Sequence, residues 1–500
     1  MKMRVLAFLL ALLFVLPMIA ACSNSSNPTE TTEETKNGNT PGGQTGDETE
    51  TEDEKEKWYF PDLPSDDRYK DKEFVFLAFT GDTSFYWHDS DFLAEMMDGD
   101  TMNDAVYQRN TYVQEQLKID LVLEPGDANL EITRLQTSIQ AGEDDYQAAD
   151  VTTLRMFSMA TNGLLTELNS MGTIDLEAPW WDQHSLSDLS ILHQNYGLYG
   201  DIGNMFKRTL GIVLFNKRLF NDQFPTIDLY EVQDNKEWTL DYMMNLIYDL
   251  ASDLDGDTQM TEDDQFGMVY QGDMMPIALI CCDIPFVTKD ENDVPALTLN
   301  CEKTFDAIDI LADLMYDTEV ARSSSANQPK VADHHDTFKT QHSVFDVTEI
   351  HAAIDFRSMA TDFGILCMPL FDEFQTSYLT CINPHVSATL VVPFSIKEPE
   401  FVGYVLDCLS AAGKDYMTPA FYDITLQGRS TRDEQSRATI DLVSASVRYD
   451  LGYLADWGMS EMIRGLADNR SKDFSSRWGT NSKSFQEKMN QTIEEFEFLS

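Results

Sequence analysis

The chain has 500 residues, 42% hydrophobic and 11% aromatic, which is enough length for two or three domains and enough apolar material for substantial cores. Its 86 acidic against 35 basic residues leave a formal charge of -51. Such a surface repels phosphate backbones, so nucleic acid is excluded as a partner and solubility outside a cell is expected.

At the start, Lys2 and Arg4 precede an apolar run over residues 6–16, and Ala20 and Ala21 follow. This predicts a secretory signal peptide over residues 1–21. The run is shorter than the roughly 20 apolar residues that span a bilayer, and no later stretch approaches that length. Ile19-Ala20-Ala21-Cys22 resembles the bacterial lipobox, which implies cleavage before Cys22 and a diacylglycerol on its thiol. Residues 23–57 contain no aliphatic or aromatic side chain. They cannot bury enough apolar surface to offset ordering entropy, so residues 22–57 are expected to form a lipidated, disordered acidic tether. As a flexible coil it would span roughly 30 Å.

Beyond the tether, residues 74–79 form an apolar run suited to a buried strand. Val106, Val113 and Leu117 recur at helical spacing within residues 103–117. Residues 119–123 read as a strand, 130–139 as a helix and 149–152 as a short strand. This βαβαβ order predicts a parallel sheet covered by helices on both faces. A second unit starts near Gly211, with a strand over 212–215 and a helix beginning at Asn216. Thr239 is a plausible N-cap for a helix reaching about Leu250. Residues 343–347 and 363–366 look like strands and 401–412 like a helix. Six cysteines follow Cys22: Cys281, Cys282, Cys301, Cys367, Cys381 and Cys408. Secretion permits disulfides, yet a large core does not depend on them, and buried free thiols are an equal reading. With no Cys-x-x-Cys pair, a structural zinc or thioredoxin-type site is not indicated.

Four motifs carry a wider likeness: residues 103–110 (Asn-Asp-Ala-Val-Tyr-Gln-Arg-Asn), Trp238-Thr239-Leu240-Asp241, residues 361–366 (Thr-Asp-Phe-Gly-Ile-Leu) and residues 448–453 (Arg-Tyr-Asp-Leu-Gly-Tyr). Their order and spacing resemble the extracellular solute-binding lipoproteins of ATP-binding-cassette importers, of the carbohydrate-type family. The resemblance implies an α/β, two-lobed, periplasmic-binding-protein-like fold with parallel-type sheets flanked by helices and a hinge of multiple chain crossings. Crossings are expected near residues 198–201, 363–369 and 416–419. Lobe 1 would comprise residues 58–198 plus 363–415, and lobe 2 residues 199–362 plus 416–500. It further implies a monomer on the outer face of the cytoplasmic membrane that closes on a small polar solute, a sugar or oligosaccharide, and delivers it to permease subunits.

A sugar offers an apolar C–H face and a rim of hydroxyls, so its site needs aromatic rings and planar polar groups. Candidates near expected strand ends and crossings are Tyr86, Trp87, Trp180, Asp182, Asp201, Arg357, Tyr378, Tyr422 and Trp457. Each competes with a role in packing its own lobe. Asp253, Asp255, Asp257, Gln259, Thr261 and Asp264 occupy the liganding positions of an EF-hand-like loop, with Thr258 where Gly is usual and Asp264 where Glu is usual. The pattern fits either a structural calcium site or an acidic solvated turn. Asp333-His334-His335-Asp336 has metal-ligating residue types, but adjacent histidines in a polar stretch rarely converge on one ion. No Gly-x-Ser-x-Gly, His-Glu-x-x-His or Gly-x-x-x-x-Gly-Lys motif occurs. The expectation is a binding protein and not an enzyme. The competing readings are a lipid-anchored glycan-active enzyme and a surface glycan-tethering protein.

Overall fold

The computed structural model describes residues 67–78, 91–126, 130–272, 274–323, 334–426, 434–455 and 457–499. The expected signal peptide and tether, with Cys22, Tyr86 and Trp87, lie outside the described residues.

Strands β1 (Glu73–Ala78), β2 (Asp120–Pro125) and β3 (Ala148–Thr152) belong to a first sheet. β4 (Gly211–Asn216) and β5 (Phe266–Tyr270) start a second, and β6 (Val287–Lys289) with β7 (Pro295–Leu297) forms a separate hairpin. β8 (Ala321–Ser323), β9 (Ser343–Glu349) and β10 (Phe363–Cys367) complete the second sheet before β11 (Ala388–Val391) returns to the first. The strand orders are β11-β3-β1-β2 and β10-β4-β9-β5-β8. β1 runs parallel to β2 and β3, and β5 runs parallel to β8 and β9. Antiparallel pairing enters where the chain changes sheets: β11 on β3, and β4 on both β9 and β10.

The apolar runs read from the sequence are strands buried on two faces. In β1, Phe74, Phe76 and Ala78 join one core with Val113, Leu117 and Phe401, while Leu77 joins another with Met102, Leu135 and Ile139. Thr239 caps the helix Leu240–Leu250, its hydroxyl accepting from the Tyr242 amide at 3.2 Å.

One element corrects an expected crossing, and a single helix makes another. The strand at Phe363–Cys367, read as the return to lobe 1, pairs with β4 in the second sheet, Ile365 opposite Leu214. Its apolar side chains are buried there at the open side of β4, and the chain rejoins the first sheet only at Ala388. The helix expected over residues 401–412 runs from Pro399 to Leu426, through Pro419. Leu406, Leu409 and Ala412 pack in the first-sheet core, whereas Met417, Phe421 and Ile424 pack in the other. One continuous helix thus makes the last passage. The six cysteines are free thiols, Cys301 exposed and the others buried. None of the described helices is long and apolar enough to cross a membrane.

Candidate functional site

In sheets with parallel strands, concave sites form beyond the carboxyl ends of the strands. β3 ends at Thr152 and β9 at Glu349, and a short relay joins these two ends. Asn383 Nδ2 donates to Glu349 Oε1 at 2.9 Å, the Ser387 amide donates to the Asn383 carbonyl at 2.9 Å, and the Thr153 amide donates to the Ser387 carbonyl at 3.3 Å. The carboxyl ends of the two sheets therefore meet across residues 383–387. Beside the relay, Tyr199 acts as a hub. Its hydroxyl bonds Ser387 Oγ at 3.1 Å, Thr389 Oγ1 at 2.8 Å and the Thr153 hydroxyl, and its ring stacks on Tyr449 at 5.2 Å. Burial pushes the Tyr199 phenol up to about 12, so it stays protonated.

Polar groups project from both ends. Arg155 is exposed in the first turn of the helix Thr153–Thr161 that follows β3. From Glu349 the chain enters the helix Ile350–Asp355, whose first amide donates to the Leu210 carbonyl at 3.0 Å. His351 Nε2 lies 3.1 Å from Asp355 Oδ2, and the exposed Arg357 follows in a 3-10 turn. Arg155, Asp355 and Arg357 are exposed, whereas Glu349 and His351 are buried, so only the first three offer charge to a solute.

The first passage between sheets is tightly held. Leu198 still bridges Leu390 of β11, and β4 begins at Gly211. Arg109, fully buried, donates to the Ile202 carbonyl at 2.5 Å, the Asp91 carbonyl at 2.9 Å and Asn110 Oδ1 at 2.7 Å. Burial lowers its guanidinium to about 10, still charged at neutral pH. A cavity of about 20 Å³ bordered by Asp91, Asp150, Tyr199 and Phe206 is sized for one water molecule.

Of the residues singled out in the sequence, Arg357 lies on the turn that follows the helix from the end of β9. The other described candidates are built into the scaffold. Trp180 and Trp181 donate their indole N–H groups to Asp407 Oδ1 at 3.2 and 2.8 Å, and the Asp175 amide donates to Asp407 Oδ2 at 2.8 Å. A buried carboxylate thus fixes both rings in the first core. Asp182 caps the helix Gln183–Leu189, accepting from the Ser185 amide at 2.7 Å, and burial raises its carboxyl above the usual range. Asp201 accepts from Lys207 Nζ and Thr418 Oγ1, each at 2.7 Å. Tyr378 borders a groove of about 590 Å³ with His184, Lys236 and Arg448, yet its hydroxyl donates to the Gln233 carbonyl at 2.8 Å. Tyr422 is half-buried against the core with the Arg437 guanidinium 5.9 Å from its ring. Trp457 is buried, its indole donating to Thr492 Oγ1 at 3.0 Å.

Sequence reasoning missed Tyr199, Glu349, Asn383, Arg155 and His351. Glu349 and Arg155 had a usable signal, a charged residue at or just past the carboxyl end of a strand. Asn383 had none, because only the pairing of β11 with β3 brings it there.

In the acidic loop, carboxylate oxygens of Asp253, Asp255 and Asp257 lie within 4.8 Å of one another. The Gly256 and Thr258 amides donate to Asp253 at 2.6 and 2.8 Å. Asp264 is buried and accepts from the Leu254 and Thr261 amides at 2.8 and 2.7 Å, which lowers its carboxyl below the usual range. Asp264 therefore staples the loop closed, while the other three carboxylates are exposed and accept backbone amides of the loop.

No family model and no curated protein matches the chain. Solved structures do. An ABC substrate-binding protein from Listeria monocytogenes, in complex with cycloalternan, has TM-score 0.54 and 13% identity, covering 85% of this chain and 100% of its own. A cyclo/maltodextrin-binding protein complexed with maltotetraose has TM-score 0.55 and 12% identity, covering 84% and 98%. UgpB from Mycobacterium tuberculosis, in complex with glycerophosphocholine, has TM-score 0.53 and 14% identity, covering 78% and 95%. The chain thus has the two-lobed α/β fold of solute-binding proteins, across nearly the whole length of each.

Proposed function

We propose that this protein is the substrate-binding component of an ATP-binding-cassette importer, capturing a carbohydrate between its lobes and handing it to membrane permease subunits. The observation that carries this reading is the meeting of the carboxyl ends of β3 and β9 across the Asn383–Ser387 relay. It places Arg155 and Arg357 on segments that leave a junction between two α/β units, as a ligand-closing receptor needs. The likeness to binding proteins solved with cycloalternan and maltotetraose supports a carbohydrate as cargo. Cys22 carries a lipid anchor, the acidic tether holds a monomeric body at the outer face of the cytoplasmic membrane, and the Asp253–Asp264 loop binds a structural calcium ion.

The test is a thermal-shift screen of sugars, peptides and polyols, followed by small-angle scattering on any hit. A ligand at about 100 times its dissociation constant should stabilise by about 2.7 kcal/mol, with a smaller radius of gyration on binding. Multiple turnover of a glycan would instead establish an enzyme. Binding of long polymers without compaction would establish a tethering protein.

A further inference from the structure

We propose that His334, His335 and Asp346 form a site for one divalent transition-metal ion, zinc by preference, inside the second lobe. One ligand atom from each residue lies within 4.8 Å of the others, and all three side chains are buried, at 6%, 5% and 0% exposure. The histidines open the helix His334–Lys339, and Asp346 sits in β9 between β4 and β5, opposite Leu214 and Val269. The sequence separates the histidines from the aspartate by eleven residues or more, and the fold brings them together.

The two imidazoles converge although they are adjacent in the chain. Their ring centroids are 3.9 Å apart, with planes tilted by 55°. His335 Nε2 lies 3.1 Å from Thr348 Oγ1, and Thr348 is two residues beyond Asp346 on the same strand. A metal-bound histidine characteristically engages its second ring nitrogen in such a bond, which fixes the tautomer and aims the other nitrogen at the ion. The carboxylate of Asp346 is fully removed from solvent in an interior strand, so it is held in a fixed position beside the two imidazoles. Two nitrogens and one carboxylate oxygen make a borderline donor set. It suits zinc and its neighbours, whereas calcium and magnesium take oxygen ligands, as in the acidic loop. Tetrahedral zinc with bonds of about 2.0–2.2 Å separates its ligands by about 3.4 Å, so modest side-chain rotations close the gap. Bound there, the ion would tie the helix to the sheet, with a water completing its shell.

The site is independent of the cargo reading and is tested without it. The full chain, carrying Cys22→Ser and Cys301→Ser so that no thiol outside the buried core competes, is stripped with EDTA, dialysed against zinc and analysed by mass spectrometry and cobalt absorption. One zinc per chain and a ligand-field spectrum of nitrogen–oxygen coordination are expected. His334→Gln and Asp346→Asn should each raise the dissociation constant by about 100-fold, as loss of a ligand or its close support does. Asp253→Asn with Asp255→Asn should leave zinc binding unchanged. Circular dichroism checks the fold of each variant, and His334→Gln, at a helix start, decides the matter if Asp346→Asn does not fold. Zinc below about a tenth per chain in the unsubstituted site, or full zinc in folded His334→Gln, overturns the proposal.

Discussion

Gly413 lies inside the helix Pro399–Leu426 where that helix crosses the first passage between sheets. A Cβ there would meet the Asp201 carbonyl oxygen at 1.9 Å, its carbon at 2.7 Å and the Ile202 amide nitrogen at 3.3 Å. These are backbone atoms held by neighbours: Arg109 binds the Ile202 carbonyl, and the Asp201 carboxylate binds Lys207 and Thr418. Replacing glycine by alanine in a helix interior otherwise gains about 1 kcal/mol. Overpacking costs about 1–3 kcal/mol, and a clash with pinned backbone belongs at the upper end. Gly413→Ala should therefore lose about 2 kcal/mol net, even with the propensity gain. Gly479, in the helix Phe474–Leu499, has nothing within 4 Å of such a Cβ, so Gly479→Ala should gain about 0.5–1 kcal/mol. Urea titration of the pair against the parent separates packing from propensity. Equal stabilisation by both substitutions would refute the account of a passage clamped on the helix.

Asn383→Ala should cost about 1.5–3 kcal/mol, because it removes a hydrogen bond to the buried Glu349 carboxylate, and it should also weaken ligand binding. Chemical denaturation and titration of a ligand found in the screen read the two effects. Calcium at millimolar concentration should raise the melting temperature of the protein and leave that of Asp253→Asn with Asp255→Asn unmoved. A rise in both would place the effect elsewhere. Asp450 is buried, and its carboxyl is pushed up to about 7, chiefly by burial. The folded state then holds a proton that the unfolded chain releases near pH 4, so stability falls as pH rises from about 4 to about 7. Asp450→Asn should flatten that slope by about one proton, read from denaturation midpoints across the range.

The strands and most helices were legible because their burial is written as period. β1 is apolar on both faces, and Thr239 offers a hydroxyl just where a helix must begin. The passages between sheets were less so. Residues 363–367 read as a strand, but a strand's own sequence does not say which sheet has an open neighbour, and β4 had one. The length of the helix Pro399–Leu426 was hidden by Pro419, which deletes one backbone hydrogen bond yet is tolerated where both halves are packed. The histidines were set aside because their local surroundings are polar; Asp346, their partner in space, stands in a strand.

The aromatic candidates show why a ring near a hinge is a weak sign of a ligand. A tryptophan in a passage between lobes must satisfy its N–H as well as bury its ring, and Asp407 does this for Trp180 and Trp181 at once. What distinguishes the junction is the opposite condition, charged groups left exposed on the helical segments that follow the strand ends, as Arg155 and Arg357 are. The same clamps also limit where closure can bend the chain. Residues 200–203 are fixed by Gly413, Trp181 and Arg109, so they move with the first core. If the lobes close as proposed, the bend is expected between Gly203 and Gly211, between Ile382 and Ala388, and near Pro419, whose missing N–H leaves the helix a natural point to bend.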